Sequence, residues 1–260
     1  MEFTTLLLEV EDHVATVTLN RPKVLNALNR AMLLELGETF ASLAGDVTVH
    51  AVLLGGAGGK AFAAGADIGE LAAADAAQGQ QMAESAQRIF RRIETLGKPV
   101  IACIDGFALG GGCELAMACT LRLASQAARL GQPEIKLGLI PGYGGSQRLP
   151  RLVGRGAALK MLLTGAMVDA DEALRIGLVD EVVAAETLTE RANQLARLIA
   201  GMPPLAVSAA LDAVDRGADL PLDEALALEA RIFGRLCGTE DKREGTEAFL
   251  QKRSAVWVGR

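Results

Sequence analysis

The chain has 260 residues, half of them apolar, and a formal net charge of −6. That length buries a sizeable core, as one large domain or a domain with an appendage. The acidic balance argues against broad binding to nucleic acid or an acidic membrane surface, and the apolar runs fall short of the ~18 residues of a spanning helix.

The first residues, Met1 to Thr5, carry neither a basic signal peptide nor an Arg-rich transit sequence, so a soluble cytoplasmic protein is expected. Leu6 to Val10, a polar Glu11-Asp12-His13 turn and an alternating run from Val14 to Leu19 predict a β-hairpin with Ala15, Val17 and Leu19 on one face. Asn20-Arg21-Pro22 ends it, because proline cannot continue a ladder. Asn29 is placed to cap a helix whose apolar stripe is Met32, Leu33, Leu36, Phe40 and Leu43. Val49 to Leu54 reads as a buried strand closed by Gly55 to Gly59, and Pro99 to Ile104 as another, followed by Gly106 and the triplet Gly110-Gly111-Gly112. An amphipathic segment is expected from Glu114 to Leu123. Asp169 or Asp171 caps a helix that Gly177 stops, and Leu178 to Val183 returns as a strand. Strand and helix alternate, which gives an α/β class with mainly crossover connections.

After about residue 185 the chain reads as helices over Thr187–Gly201, Leu205–Gly217, Leu222–Leu236 and Glu240–Arg253, broken at Met202-Pro203-Pro204. The expected organisation is therefore an α/β core over 1–185 and a helical region over 186–260 that covers the main body or meets another subunit. The four cysteines (Cys103, Cys113, Cys119, Cys237) form no CxxC pair, three sit in apolar, core-like runs, and they read as buried free thiols suited to a reducing compartment.

The glycine clusters fit no nucleotide motif. Gly55 to Lys60 is one residue short of a P-loop, and Ala61 stands where Ser or Thr is needed. Gly142-Tyr143-Gly144-Gly145-Ser146-Gln147 lacks the third glycine of a dinucleotide fingerprint. Ser146 is outside any nucleophile elbow and reads as a helix cap ahead of Gln147-Arg148-Leu149. The only histidines, His13 and His50, belong to no zinc pattern and read as surface residues, so no metal site is expected. What remains is carboxylate chemistry. Glu114, in Gly110-Gly111-Gly112-Cys113-Glu114, and Glu134, in Gly131-Gln132-Pro133-Glu134, each follow a glycine-rich bend. A carboxyl pair can divide acid and base duties. Backbone N–H groups at a glycine-rich helix start can hold a developing oxyanion. Together they suggest an enzyme that adds or removes water next to a carbonyl.

Five segments then align in order: Ala61-Phe62-Ala63-Ala64-Gly65-Ala66-Asp67-Ile68, Gly106 to Leu115, Gly131-Gln132-Pro133-Glu134-Ile135, Pro141 to Leu149, and Glu240-Asp241 through Arg253. With them, from Asn20-Arg21-Pro22 to the C-terminus, the sequence resembles the crotonase superfamily and, within it, the enoyl-CoA hydratases. The resemblance implies a crotonase (ClpP-like) spiral of ββα units with a helical C-terminal trimerisation region, assembled as a hexamer of two trimers. It implies an oxyanion hole from the N–H groups of Ala66 and Gly111, and a water held between Glu114 and Glu134 that adds syn to a trans-2-enoyl-CoA, giving a 3-hydroxyacyl-CoA. Coenzyme A is then part of the substrate, with no separate cofactor. Its expected contacts are Lys23, Ala64, Ile68, Gly112 and Lys252, the last reaching a neighbouring subunit's ligand. Gly69 departs from the pattern, since many relatives carry lysine there, so a phosphate contact is either weaker here or supplied elsewhere, with Lys60 a candidate. Relatives that only shift a double bond generally keep just the Glu134 equivalent, so the pair favours a hydratase over an isomerase. RNA-binding relatives use a basic helix; here Gln78 to Lys98 has Arg88, Arg91, Arg92 and Lys98 but also Glu84 and Glu94, and reads as a salt-laced helix instead. The acyl pocket is expected to be set by Leu71–Gln87 and Leu137–Gly142, with Tyr143 narrowing it.

Overall fold

The computed structural model describes residues 3–260; Met1 and Glu2, the start of the segment read for targeting signals, lie outside the described residues. Strands β1 (Leu6–Glu11) and β2 (Val14–Leu19) pair antiparallel across Asp12 and His13, whose φ angles of 48° and 65° make the doubly left-handed turn that matches strand twist. Ala15, Val17 and Leu19 are buried together, as the alternation requires. Helix α1 (Arg30–Gly45) begins where the Asn29 side chain accepts a hydrogen bond from Met32 N at 3.0 Å, and it buries the whole expected stripe.

The next stretch is built by repetition. Strands β3 (Ala51–Gly56) and β4 (Ala61–Ala63) lead to helices α2 (Ile68–Ala72) and α3 (Ala76–Glu94). Strands β5 (Val100–Ile104) and β6 (Phe107–Leu109) lead to α4 (Gly111–Met117). Strands β7 (Leu121–Ser125) and β8 (Arg129–Gly131) lead to α5 (Gly145–Thr164). Each turn gives its first strand to one sheet and its second to another. Then β9 (Met167–Asp169), α6 (Ala170–Arg175) and β10 (Glu181–Val183) complete sheets ordered β1-β2-β3-β5-β7-β10 and β4-β6-β8-β9. The strands β3, β5 and β7 run parallel, as do β4, β6 and β8. This is the spiral of ββα units that the resemblance implies.

The main core lies between the sheets and helices α1 and α3, with Phe40, Leu54, Phe62, Phe90, Ile104 and Leu130 fully buried. A second cluster covers the other face of the six-stranded sheet. There α7 (Leu188–Ala200) sets Leu188, Ala192, Ala196 and Ala200, spaced four apart on one face, against Ala51, Leu53, Ile101 and Leu123. The small residues let the helix lie close to the strands. Helix α7 thus packs on the sheet, and the helices beyond it, α8 (Pro204–Gly217), α9 (Leu222–Cys237) and α10 (Glu240–Gln251), leave Leu222, Phe233, Phe249 and Leu250 strongly exposed. No single helix among the described residues is long and apolar enough to cross a membrane.

Several local expectations need correction. The segment from Glu114 to Leu123 is not one amphipathic element: α4 ends at Met117, and Leu121 already belongs to β7. All of α4 is buried, so no polar face marks its period. Ser146 is not the cap of its helix; Gly144, at φ 114°, occupies the N-cap position of α5. His13 and His50 stack on each other with ring centroids 4.6 Å apart, and His50 is half-buried. On the α3 side, Arg91 pairs with Glu94, Arg92 donates to Gly37 O, and Lys98 donates to Asp46 O and Leu43 O.

Candidate active site

The strand ends and helix starts of the spiral meet at a cleft of about 260 Å³. Its wall includes Ala64, Ala66, Ile68, Gly111, Glu114 and Glu134, with Leu71, Met82, Leu137, Leu139 and Tyr143 around the apolar part. A larger cleft of about 620 Å³ lies between α3, α8 and α9, lined by Arg91, Asp212, Arg216 and Arg235, and includes neither glutamate.

Glu114 sits in the first turn of α4, and only 1% of it is exposed. Its Oε1 accepts from Tyr143 N at 2.8 Å and from Gly145 N at 2.7 Å. Glycine is required at 145 for that approach, since a Cβ there would stand 2.9 Å from Pro141 Cβ and 3.0 Å from Glu114 Cγ. The donating loop is itself held: Gln87 donates to Gly142 O at 2.7 Å, and Arg148, paired with Glu94, donates to Tyr143 O at 3.0 Å. Burial pushes the Glu114 carboxyl up to about 7; its two backbone donors oppose that rise, and nearby Glu134 adds to it.

Glu134 opens the short 3-10 turn Glu134–Leu137 and faces the same cleft from the other side of the glycine triplet. Its Oε1 is so close to Gly110 that a Cβ there would come within 2.7 Å. Burial raises its pKa too. Gln132, fully buried, turns its amide nitrogen to Glu134 Oε1 and Oε2 at 3.1 and 3.2 Å in the orientation that satisfies both ends of the amide. The sequence motif contains Gln132, but nothing in its local pattern separates it from a spacer. Its burial beside a carboxylate is what reveals it.

The same cleft carries two free backbone donors. Among the described residues, neither Ala66 N–H nor Gly111 N–H has an acceptor. They are neighbours: a Cβ on Gly111 would sit 3.4 Å from Ala66 N, and 3.0 Å from the Tyr143 ring. Gly111 is the first residue of α4, where helix N–H groups point outward unsatisfied. The Tyr143 ring lines the pocket and packs edge-on against Phe90, with centroids 5.9 Å apart.

The fold therefore brings Ala66, Gly111, Glu114 and Glu134 to one place, with Ala64 and Ile68 at its rim. Gly112 is a correction. It does not line the cleft but packs α4 on β4, where a Cβ would come within 2.0 Å of Ala63 O. Lys23 and Lys252 are exposed and lie outside the cleft of their own chain; Lys252 ends α10 in a left-handed conformation. No group of three or more metal-ligating side chains occurs among the described residues.

The family model described as enoyl-CoA hydratase/isomerase matches residues 9–260. The chain is 47% identical over 253 residues to a short-chain-enoyl-CoA hydratase of Clostridium acetobutylicum, covering 97% of each chain. It is 43% identical to a crotonyl-CoA hydratase of Syntrophomonas wolfei over the full length of both. Its fold superposes on a crystal structure of an enoyl-CoA hydratase from Bacillus anthracis with a TM-score of 0.96 at 38% identity, covering 99% of this chain and 100% of that one. With its site assembled from the same segments that suggested the likeness, and a match spanning almost every residue, the chain belongs to the enoyl-CoA hydratase/isomerase family of the crotonase superfamily.

Proposed function

We propose that the protein is a hydro-lyase that adds water syn to the double bond of short-chain trans-2-enoyl-CoA thioesters. The observation that carries this is the pairing of Glu114 and Glu134 on one cleft with two unpaired backbone N–H groups. The thioester oxygen would accept from Ala66 N–H and Gly111 N–H, which draws charge from the conjugated system and makes C3 electrophilic. A donor of this kind typically contributes ~2.7–4 kcal/mol to the transition state.

Two negative charges in a buried site oppose each other, so the pair shares one proton near neutral pH. Glu114 Oε1 accepts from two backbone N–H groups of another loop, whereas Glu134 accepts from the Gln132 amide and its own backbone N–H. Burial raises both acids, Glu114 up to about 7, so the count of donors does not by itself divide the proton; following the family scheme, we assign the charge to Glu114 and the proton to Glu134 in the reacting form. Water held between them loses a proton to Glu114 as its oxygen bonds to C3. The π electrons move onto the thioester oxygen as an enolate, and C2 then takes the Glu134 proton. Exchange with solvent restores the starting protonation. An isomerase would need only the Glu134 half of this arrangement.

A cavity of about 260 Å³, with Tyr143 in its wall, favours a short acyl chain. The names of the relatives from C. acetobutylicum and S. wolfei point the same way. We read the exposed apolar face of α9 and α10 as the contact between subunits of a hexamer, with the 186–260 region as its oligomerising part. In that assembly Lys252 of one subunit would reach the coenzyme A phosphates of another, and Lys23 those of its own. Cytoplasmic residence is part of the same reading, in keeping with four free cysteines. The test is the loss of absorbance at the conjugated enoyl thioester band over a chain-length series. The expected result is fastest hydration at four carbons, falling as the chain lengthens. No hydration at any length would refute the reading.

A further inference from the structure

We propose that Arg21 and Asp67 are positioning residues that aim the Ala66 oxyanion donor, through a splint formed by residues 21–28. The inference rests on the hydratase reading above. The Gly65–Ala66 peptide carries both the donor and its anchor. Its carbonyl, Gly65 O, accepts from Leu28 N at 2.8 Å, and Leu28 O accepts from Asp67 N at 2.9 Å. A trans peptide points its C=O and N–H in opposite directions, so fixing Gly65 O on the Leu28 side turns Ala66 N–H away from Leu28 and toward Gly111. The direction of the donor is therefore set by the position of Leu28.

What fixes Leu28 is the unusual backbone before it. Leu25 and Asn26 both adopt left-handed conformations, at φ 53° and 55°. Asparagine tolerates this region, but leucine there is strained and persists only where its surroundings over-determine it. Leu25 is partly exposed, so core packing does not account for its strain. Hydrogen bonds do. Leu25 O accepts from Ala64 N at 3.0 Å, and Asn26, fully buried, donates to Ala61 O at 2.8 Å and accepts from Arg21 N at 2.9 Å. The loop is thereby stitched along the strand that delivers the donor.

Arg21 closes the stitch at its far end. Its NH1 donates to Ala27 O at 2.6 Å, and NH1 and NH2 both reach Asp67 Oδ2 at 3.2 Å. Ala27 immediately precedes Leu28, and Asp67 immediately follows Ala66. One guanidinium thus clamps the two residues bordering the anchor and the donor. Asp67 Oδ1 remains engaged with Gly69 N at 3.1 Å, which starts α2. A lysine ammonium could meet Asp67 but lacks the planar fork that holds both partners at once.

The experiment compares wild type with Arg21→Met, Arg21→Lys and Asp67→Asn. It measures kcat and KM for crotonyl-CoA, and the absorbance maximum of a bound conjugated dienoyl thioester. That maximum moves to longer wavelength as the carbonyl is polarised, so it reports the oxyanion hole directly. The expected result for Arg21→Met is a kcat lower by ~10-fold or more with a smaller wavelength shift, and KM within about threefold of wild type. Arg21→Lys should fall between, and Asp67→Asn, which keeps the cap to Gly69, should move both readouts the same way. If Arg21→Met does not fold, the other two variants carry the test. A kcat that falls while the shift stays intact, or both readouts unchanged, would overturn the inference. A wild-type protein that hydrates no enoyl thioester would instead reject the functional reading on which it rests.

Discussion

The two walls of the cleft hold their glutamates in different ways. Glu114 projects from a wholly buried helix turn, and one of its oxygens is fixed by two backbone N–H groups from a loop that Gln87 and Arg148 brace. Glu134 opens a four-residue 3-10 turn whose next residues, Ile135, Leu137, Leu139 and Ile140, are exposed apolar side chains, and its partners are an amide and its own backbone N–H. The lesson is a division of labour. A rigid wall suits the group that must stay charged and oriented, while a half-buried turn suits the group that gives up a proton and must regain it.

The largest expected effect comes from removing either acid. Glu114→Gln keeps an oxygen for the Tyr143 and Gly145 donors, and Glu134→Gln keeps the volume of the original side chain. Each should lower kcat by ~10²–10⁴ while a substrate analogue still binds in calorimetry with nearly wild-type affinity. A large loss for Glu134→Gln alone, with Glu114→Gln nearly unaffected, would favour isomerase-type chemistry on Glu134 instead.

A second effect separates the walls by stability. The folded-state pKa of Glu114 is raised from 4.5 to about 7 by burial, so the folded protein holds a proton that the unfolded chain has lost. Stability therefore falls as pH rises from about 4.5 to about 7 and stays lowered above that. Glu114→Gln removes this burden. In urea unfolding it should be more stable than wild type by about 1–3 kcal/mol near pH 8, with the gap vanishing near pH 4. An unchanged difference across that range would show that the backbone donors fully offset the buried charge.

The smallest effect concerns the weaker wall. The Gln132 amide favours the ionised form of Glu134, so Gln132→Met should raise the pKa of Glu134. The alkaline limb of the kcat–pH profile should then move up by less than about one unit. A shift to lower pH would mean that the amide supports the protonated acid instead.

Much of this molecule is legible locally. The Asn29 cap, the stripe from Met32 to Leu43 and the hairpin before them depend on neighbours within a few residues, and they form as read. The C-terminal helices follow for the same reason. Legibility fails where burial erases the period, as in α4, or where a partner lies far along the chain. Gly145 meets Glu114 across 31 positions, and that contact, which leaves no local trace, makes the loop after Pro141 part of the site. Gly112 follows Gly110 and Gly111, which do line the cleft, yet helix geometry turns it to Ala63. No local pattern marks the left-handed φ angles of Leu25 and Asn26.

The most direct test of a shared water is a double-mutant cycle on kcat for crotonyl-CoA hydration with Glu114→Gln, Glu134→Gln and the combined variant. Groups that act on one water as a unit lose most of their value together, so the double variant should fall about as far as the worse single one. Losses that multiply would mean two independent contributions, and the account of one water between two acids would be wrong.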